Sequence, residues 1–389
     1  MTTTLRSFSF SIPRTLMGIG AGEELGPIIS EVHARKPLIV TDEYLSKTSL
    51  VEALVAPLKR EGLQFGIFDG CKPDAPFSTV EKCNRMFGEG EYDLLVAFGG
   101  GSVLDTAKAV SVIAAGQGHA LQDCLGQYKV NWTAVPTILI PTTSGTGSEW
   151  TWVAIVTDDS IGIKRSIYSY SLRPLAVIVD PSFTADLPPR ITAETGMDAL
   201  IHGIEGYTSW KANIVSDMFA EKAIRLVSDN LRFAYGQGKK NMEARYNMAV
   251  AASLAFSFIF SGLGLSHAMA YPLQMMSHIS HGASCSIMMP YVMEFNLPAS
   301  RDKFAVIAEL MGEKIEGLSL NAKAQKAIDA VVQLSKDVGM PQRMRDVGIR
   351  REDIPDFVEN VLEFQPHVID VNVRNAEKSD LAKIFEAAW

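Results

Sequence analysis

From Tyr246 to Met293 the chain carries no Asp, Glu, Lys or Arg. A stretch this long without formal charge belongs inside something, either a lipid bilayer or the core of a helical domain. Its most apolar part, Ala251 to Leu265, is interrupted by Ser253, Ser257, Ser261, Gly262 and Gly264 and followed by Ser266 and His267. That is too polar and too Gly-broken for a good membrane span, so a buried helical core is expected and no membrane association.

The rest of the chain reads as two halves. Up to about Asp180, short continuous apolar runs alternate with segments of helical period: Pro37 to Thr41, Phe65 to Phe68, Leu94 to Phe98, Thr137 to Pro141 and Ala176 to Asp180. Runs without polar alternation suit strands covered on both faces, which predicts a parallel sheet built from crossover units. The Phe8, Phe10, Ile12 alternation reads as a further strand. After Leu187-Pro188-Pro189 strand signals nearly vanish, and helical periods run over 193–210, 216–233, 242–260, 303–311 and 321–338. The expected organisation is an α/β dinucleotide-binding domain over residues 1–188 and an all-α, metal-binding domain over 189–389.

With Lys plus Arg at 36 against Asp plus Glu at 44, a formal net charge of −8 and no basic cluster, nucleic acid is excluded as an expected partner. The four cysteines match neither a metal-binding pair nor a short disulfide framework, and no export signal is evident, so a reducing cytoplasm is expected.

Leu94 to Phe98 runs into Gly99-Gly100-Gly101-Ser102 and then a helical segment. A strand, a Gly-rich turn and a helix N-terminus offer backbone N–H groups where the helix dipole favours negative charge, which suits a pyrophosphate. The alternative is a tight turn with Ser102 as N-cap. A second polar loop, Thr142 to Glu149, follows the Thr137 to Pro141 strand, and ligands of open α/β sheets bind at such strand ends. Asp42, ending the first strand, can accept hydrogen bonds from an adenosine ribose and repel a 2′-phosphate, which points to NAD.

Four of the seven histidines, His202, His267, His278 and His281, fall within 80 charge-poor residues. Asp198 and His202, four apart in a helical period, share one face, and Pro272 between His267 and His281 is expected to end or kink the intervening helix. One carboxylate with three imidazoles would suit Fe²⁺ or Zn²⁺ and leave positions open, whereas taken singly each is equally an ordinary helix-face contact or a hydrogen-bonded core histidine.

Taken together, Gly99 to Ser102 with Asp105 and Lys108, Pro141 to Glu149, Asp180-Pro181, Leu187 to Pro189, Gly196 to His202, and Gly264 to His281 followed by Pro290 to Met293 stand in a fixed order. In this the chain resembles the iron-containing (group III) alcohol dehydrogenases, in their lactaldehyde reductase and 1,3-propanediol dehydrogenase branch. The resemblance implies the dehydroquinate synthase-like architecture, a homo-oligomer, and metal ligands at Asp198, His202, His267 and His281. It implies NAD contacts at Asp42, Gly99, Gly100, Gly101, Ser102, Asp105, Thr142, Thr143, Thr146 and Lys164, and an iron or zinc ion that activates a small primary alcohol or aldehyde. Where the family usually reads His-x-Met-Ala-His, this chain reads His267-Ala268-Met269-Ala270-Tyr271, so a phenol replaces an imidazole as the proton-relay candidate. His278 is the other candidate, or else a solvated loop histidine. The family's Pro-Asn-Pro is Pro73-Asp74-Ala75 here. Trp152, Val153, Leu263 and Tyr271 are expected near the substrate, whose pocket would hold few charges. Two rival readings are an NAD-dependent lyase of the dehydroquinate synthase type and a nucleotide-binding homologue without catalysis. The first would call for an Arg/Lys-rich cleft, and between Arg190 and Lys211 there is neither residue.

Overall fold

A computed structural model describes residues 11–116 and 118–389. They divide into two compact units, one of Ser11–Thr143 with Gly147–Ala185, the other of Asp186–Trp389 with Ser144–Thr146.

In the first unit a six-stranded sheet comprises β1 (Arg14–Met17), β2 (Pro37–Asp42), β3 (Gly66–Cys71), β4 (Leu94–Gly99), β6 (Thr137–Pro141) and β9 (Ala176–Val179). Its order is β1-β9-β6-β4-β2-β3 with every pair parallel. Parallel neighbours need crossovers, and α1 (Leu25–Glu31), α2 (Ser49–Arg60), α3 (Phe77–Glu89) and α4 (Gly101–Ala115) supply them. The central strands are buried along their whole length, which is why they read as unbroken apolar runs. The chain leaves β2 toward β3 on one side and returns to β4 on the other, so the strand order reverses between β2 and β4. Ligands of open α/β sheets bind at such a reversal, beyond the carboxyl ends of the strands. Asp42 and Gly99 are the residues that end those two strands.

The N-terminal strand is Arg14–Met17; Phe8 and Phe10 lie outside the described residues, and Ile12 precedes the strand. A second, three-stranded sheet, unforeseen from the sequence, contains β5 (Gly126–Gln127), β7 (Val153–Asp158) and β8 (Ile163–Tyr168), the last two an antiparallel hairpin. Its turn signal, Asp158 to Gly162, is plain in retrospect: Gly162 takes φ 68, a left-handed conformation that favours glycine. The short α5 (Leu121–Cys124) precedes β5.

The second unit is helical: α6 (Pro189–Thr208), α7 (Ile214–Gln237), α8 (Met242–Ala255), α9 (Phe258–Ser261), α10 (Leu265–Ser277), α11 (His281–Leu310), α12 (Leu320–Asp337), α13 (Ile354–Phe364), α14 (Pro366–Ile369) and α15 (Lys378–Ala388). No described helix is long and apolar enough to cross a membrane, and the charge-free run is broken, the α8–α9 segment meeting α10 at 106°. Its apolar residues, among them Ala251, Ala255, Leu265, Met269 and Met288, are buried in the core. Of the two outcomes expected at Pro272, an end or a kink, the end does not occur: Pro272 lies within α10, which runs on to Ser277. Four-residue spacing of buried positions carries the helix through one missing N–H.

Candidate functional site

Asp198, His202 and Glu205 sit at i, i+4 and i+7 on α6, which places the three side chains on one face. All three are buried. Two further helices begin against that face. Gly264 caps the start of α10, and a Cβ there would meet the Glu205 carboxyl at 2.9 Å. Gly282 opens α11, and a Cβ there would come 2.1 Å from the backbone oxygen of Glu194. The absence of side chains at these two positions brings His267 and His281 to the α6 carboxylate.

Asp198 Oδ1 is the centre of the cluster: His267 Nε2 lies 3.5 Å away, His281 Nε2 3.6 Å and His202 Nε2 3.9 Å. Ligands about 2.1 Å from a tetrahedrally held ion stand about 3.4 Å apart, so these separations suit one divalent ion. Asp198 Oδ1 and His267 Nε2 are fully buried and have no hydrogen-bond partner. Buried polar atoms are normally satisfied, and two orphans facing each other across 3.5 Å are what an ion's donors look like without the ion counted. The residues therefore fit a divalent metal: a hard carboxylate and borderline imidazoles, the donor chemistry of Fe²⁺ and Zn²⁺.

Electrostatics point the same way. Burial pushes the Asp198 carboxyl up, but the imidazoles of His202, His281 and His267 outweigh it and hold the group below the usual carboxylate range. Burial pushes His202 down to about 4, so it is neutral and ligand-ready near pH 7. Burial opposes a proton on His267, but the neighbouring Cys285, Glu205 and Asp198 outweigh it and hold the ring's pKa above the ordinary imidazole value, so an ion binding there displaces a proton.

Glu205, which sequence reasoning missed, orients the centre. Its Oε2 accepts from Gly264 N at 2.9 Å and stands 2.5 Å from His267 Nδ1, while Oε1 accepts from Ser266 N at 2.6 Å. With Nδ1 held by the carboxylate, Nε2 is the nitrogen turned toward Asp198. The signal was present as a third acid three residues beyond His202 on the same helix face. His281 is held likewise, Nδ1 lying 3.2 Å from Gln274 Oε1.

Tyr271 is half-buried on α10 with its ring 6.4 Å from that of His281. His278 is exposed and ends α10 in a left-handed conformation, φ 56, as a helix-terminating residue does. Leu263 packs on the α10–α13–α15 core, whereas Trp152 and Val153 are buried in the other unit, Trp152 against Tyr170 and Arg173.

In the α/β unit, Gly100 is the N-cap of α4, not Ser102, whose Oγ instead accepts from Asp74 N at 2.9 Å. The N–H groups of Gly101 and Ser102 open a 15-residue helix beside the strand reversal, an arrangement that favours an anion. Gly99, Thr142 and Thr143 border it: Thr142 N donates to Gly99 O at 3.0 Å, and a Cβ on Gly100 would meet Thr143 Cγ2 at 3.3 Å. Asp42 Oδ1 accepts from Tyr44 N and Leu45 N, each at 2.9 Å, which fixes the carboxylate at the end of β2. Thr146 groups with the helical unit. Lys164, on β8, pairs with Asp74 at 2.9 Å.

Asp105, expected among the cofactor contacts, has both oxygens engaged within the protein: Oδ1 accepts from Ser148 Oγ at 2.6 Å and pairs with Lys108 at 2.9 Å, and Oδ2 accepts from Ile155 N at 3.0 Å. It staples α4 to the 148–155 segment.

Known proteins share this construction. A profile of iron-containing alcohol dehydrogenases matches residues 13–181, and one of the C-terminal part of the Fe-containing alcohol dehydrogenase family matches residues 192–389. The NAD-dependent methanol dehydrogenase of Bacillus methanolicus is 37% identical over 97% of this chain and 99% of its own. The lactaldehyde reductase of Escherichia coli K12 is 34% identical over 94% of this chain and 96% of its own. The crystal structure of a 1,3-propanediol oxidoreductase superposes with a TM-score of 0.95 at 36% identity, covering 99% of this chain and all of that one. The chain belongs to the iron-containing alcohol dehydrogenase family.

Proposed function

We propose that this chain transfers a hydride between NAD(H) and a small, largely uncharged primary alcohol or its aldehyde, as a metal-dependent homo-oligomeric enzyme of the cytoplasm. The observation that carries the reading is the convergence of three imidazole nitrogens within 3.9 Å of one buried, unpartnered carboxylate oxygen.

A divalent ion supplies Lewis-acid polarisation of an alcohol or carbonyl oxygen, and a nicotinamide supplies the hydride acceptor or donor. Asp198, His202, His267 and His281 would hold the ion, and Glu205 and Gln274 keep two of the imidazoles turned toward it. Gly100, Gly101 and Ser102 receive the pyrophosphate on the α4 N-terminus, with Thr142 and Thr143 beside them, and Asp42 accepts from the ribose hydroxyls and disfavours a 2′-phosphate. Tyr271, half-buried with its ring 6.4 Å from that of His281, is the proton-relay group in this reading. His278, exposed at the end of its helix, is assigned no such role. Support for the cytoplasm comes from Cys71, Cys83, Cys124 and Cys285, all buried free thiols. The relatives named for methanol and lactaldehyde support a short-chain substrate.

The test is absorbance of the nicotinamide with a panel of aldehydes and alcohols, before and after exhaustive chelation and after return of Fe²⁺ or Zn²⁺. Turnover should vanish with the metal and come back with it; full turnover in the chelated protein overturns the reading. Gel filtration with light scattering checks the oligomer.

A further inference from the structure

The three imidazoles of the metal centre are not held alike. His267 Nδ1 stands 2.5 Å from Glu205 Oε2, and His281 Nδ1 stands 3.2 Å from Gln274 Oε1. His202 has no such side-chain partner: its Nδ1 is buried near the Gly145 backbone without meeting hydrogen-bond geometry. The last torsion of a histidine side chain is a broad well, so an imidazole that lacks such a contact turns about it unless its face is covered. Two rings stack on His202. The His267 ring lies 4.5 Å away at 11°, and the Phe258 ring lies 4.5 Å away at 25°.

Phe258 owes its place to a glycine. Gly206 follows His202 by one helical turn on the same face of α6, and a Cβ there would meet Phe258 N at 3.2 Å, Phe258 Cα at 3.3 Å and Ser257 Oγ at 3.3 Å. The bare backbone lets α9 lie against α6. The far end of this short helix is tied as well, because Ser209 Oγ donates to Ser261 O at 2.5 Å. Gly262, at φ 88, then ends it against Val371, which a Cβ would meet at 2.8 Å. A ring placed for core packing alone would be buried like that of Phe256, which is 0% exposed. Phe258 is only half-buried, and the ring it covers is that of a metal-ligating histidine.

We propose that Phe258 is a positioning residue of the metal centre: stacked on His202, its ring fixes the direction in which Nε2 points, as Glu205 and Gln274 fix the other two imidazoles. The proposal rests on the metal-centre reading above and keeps its four ligands. His202 Nε2 is also the nitrogen farthest from Asp198 Oδ1, at 3.9 Å against 3.5 Å for His267 and 3.6 Å for His281. Its donation is therefore the one most easily lost when the ring turns. Phe258 brings no charge and no donor, so its effect lies in the flat face, which an aliphatic side chain does not supply.

Zinc affinity of the full chain, read by competition with a chromophoric chelator, tests this without reference to turnover. Phe258→Leu keeps an apolar side chain and removes the face; affinity should fall about tenfold, the lower end of what loss of a ligand's support costs. Phe258→Tyr keeps the face and should stay within about twofold of wild type. Cobalt-loaded protein supplies a signature that packing alone would not move: the visible ligand-field bands should shift in Phe258→Leu and coincide with wild type in Phe258→Tyr. Should Phe258→Leu not fold, Gly206→Ala carries the same test, because it leaves the ring in the sequence and presses its backbone away from α6. Zinc affinity and cobalt bands equal to wild type in the folded variant overturn the proposal and leave the metal centre standing. A wild-type chain that takes up no ion overturns both.

Discussion

Two buried charge clusters, one in each unit, are built from similar materials and end in opposite states. In the α/β unit, Lys108 is fully buried, yet its ammonium donates to Ser148 Oγ at 2.6 Å, Ser148 O at 3.0 Å and Thr151 Oγ1 at 3.2 Å and pairs with Asp105 at 2.9 Å. Asp105 in turn spends its other oxygen on a backbone N–H. In the helical unit, Asp198 Oδ1 and His267 Nε2 are buried without a hydrogen-bond partner. Leaving a buried polar group unsatisfied costs about 1–3 kcal/mol, and two such atoms 3.5 Å apart, with two further imidazoles beside them, suit an ion between them. A closed cluster is scaffold, and an open one marks where a ligand enters.

The contrast is most severely tested by removing one side chain from each. Asp198→Ala or His267→Ala should abolish turnover and metal content together, with the circular dichroism spectrum and unfolding transition of the metal-free chain little changed. Residual metal at one equivalent with lost activity would separate binding from catalysis and break the assignment. Asp105→Ala should do the reverse: it leaves an uncompensated buried Lys108 and should cost about 3–5 kcal/mol of stability, read by denaturant unfolding, while metal content in the folded fraction stays at one equivalent. If Asp105→Ala instead leaves stability intact and weakens NAD binding, the Lys108 cluster is not scaffold.

A smaller effect is expected from Glu205→Ala, which frees the His267 ring without removing a ligand; metal affinity should fall about 10–100-fold in a chelator competition. Glu205→Gln should recover part of that loss, because an amide oxygen still accepts from Nδ1.

The finest distinction is one of pH. His202 is held at about 4 in the folded chain against an ordinary 6.5, so between those values the unfolded chain binds the extra proton. The His202 contribution to the stability of the metal-free protein should therefore be fully present above pH 6.5 and decline as pH falls from 6.5 toward 4. His202→Gln should flatten this limb in urea unfolding; an unchanged slope would mean that His202 titrates normally.

Much of this molecule was legible in advance because its signals are local. The central strands read as continuous apolar runs since both faces are covered, and the Gly99–Ser102 turn announced itself by composition. Asp198 and His202 shared a helix face by spacing alone. Other features depend on partners distant in sequence. Asp105 sits in a loop-and-helix motif, and its oxygens are met there by Ser148 and Ile155, which no local signal announces. Pro272 suggests an end or a kink because a missing N–H is a local penalty, and α10, packed against α11 and α13, runs on through it to Ser277.

The order of residues by itself determined the periods: which runs become strands, which become helices, where the glycine turn falls and that Asp198, His202 and Glu205 line one face. Those follow from backbone geometry over a few residues. That His267, His281 and Cys285 meet Asp198 was decided only by tertiary structure. Their helices begin where Gly264 and Gly282 let backbones approach α6, and such an approach depends on packing between segments that no local period records.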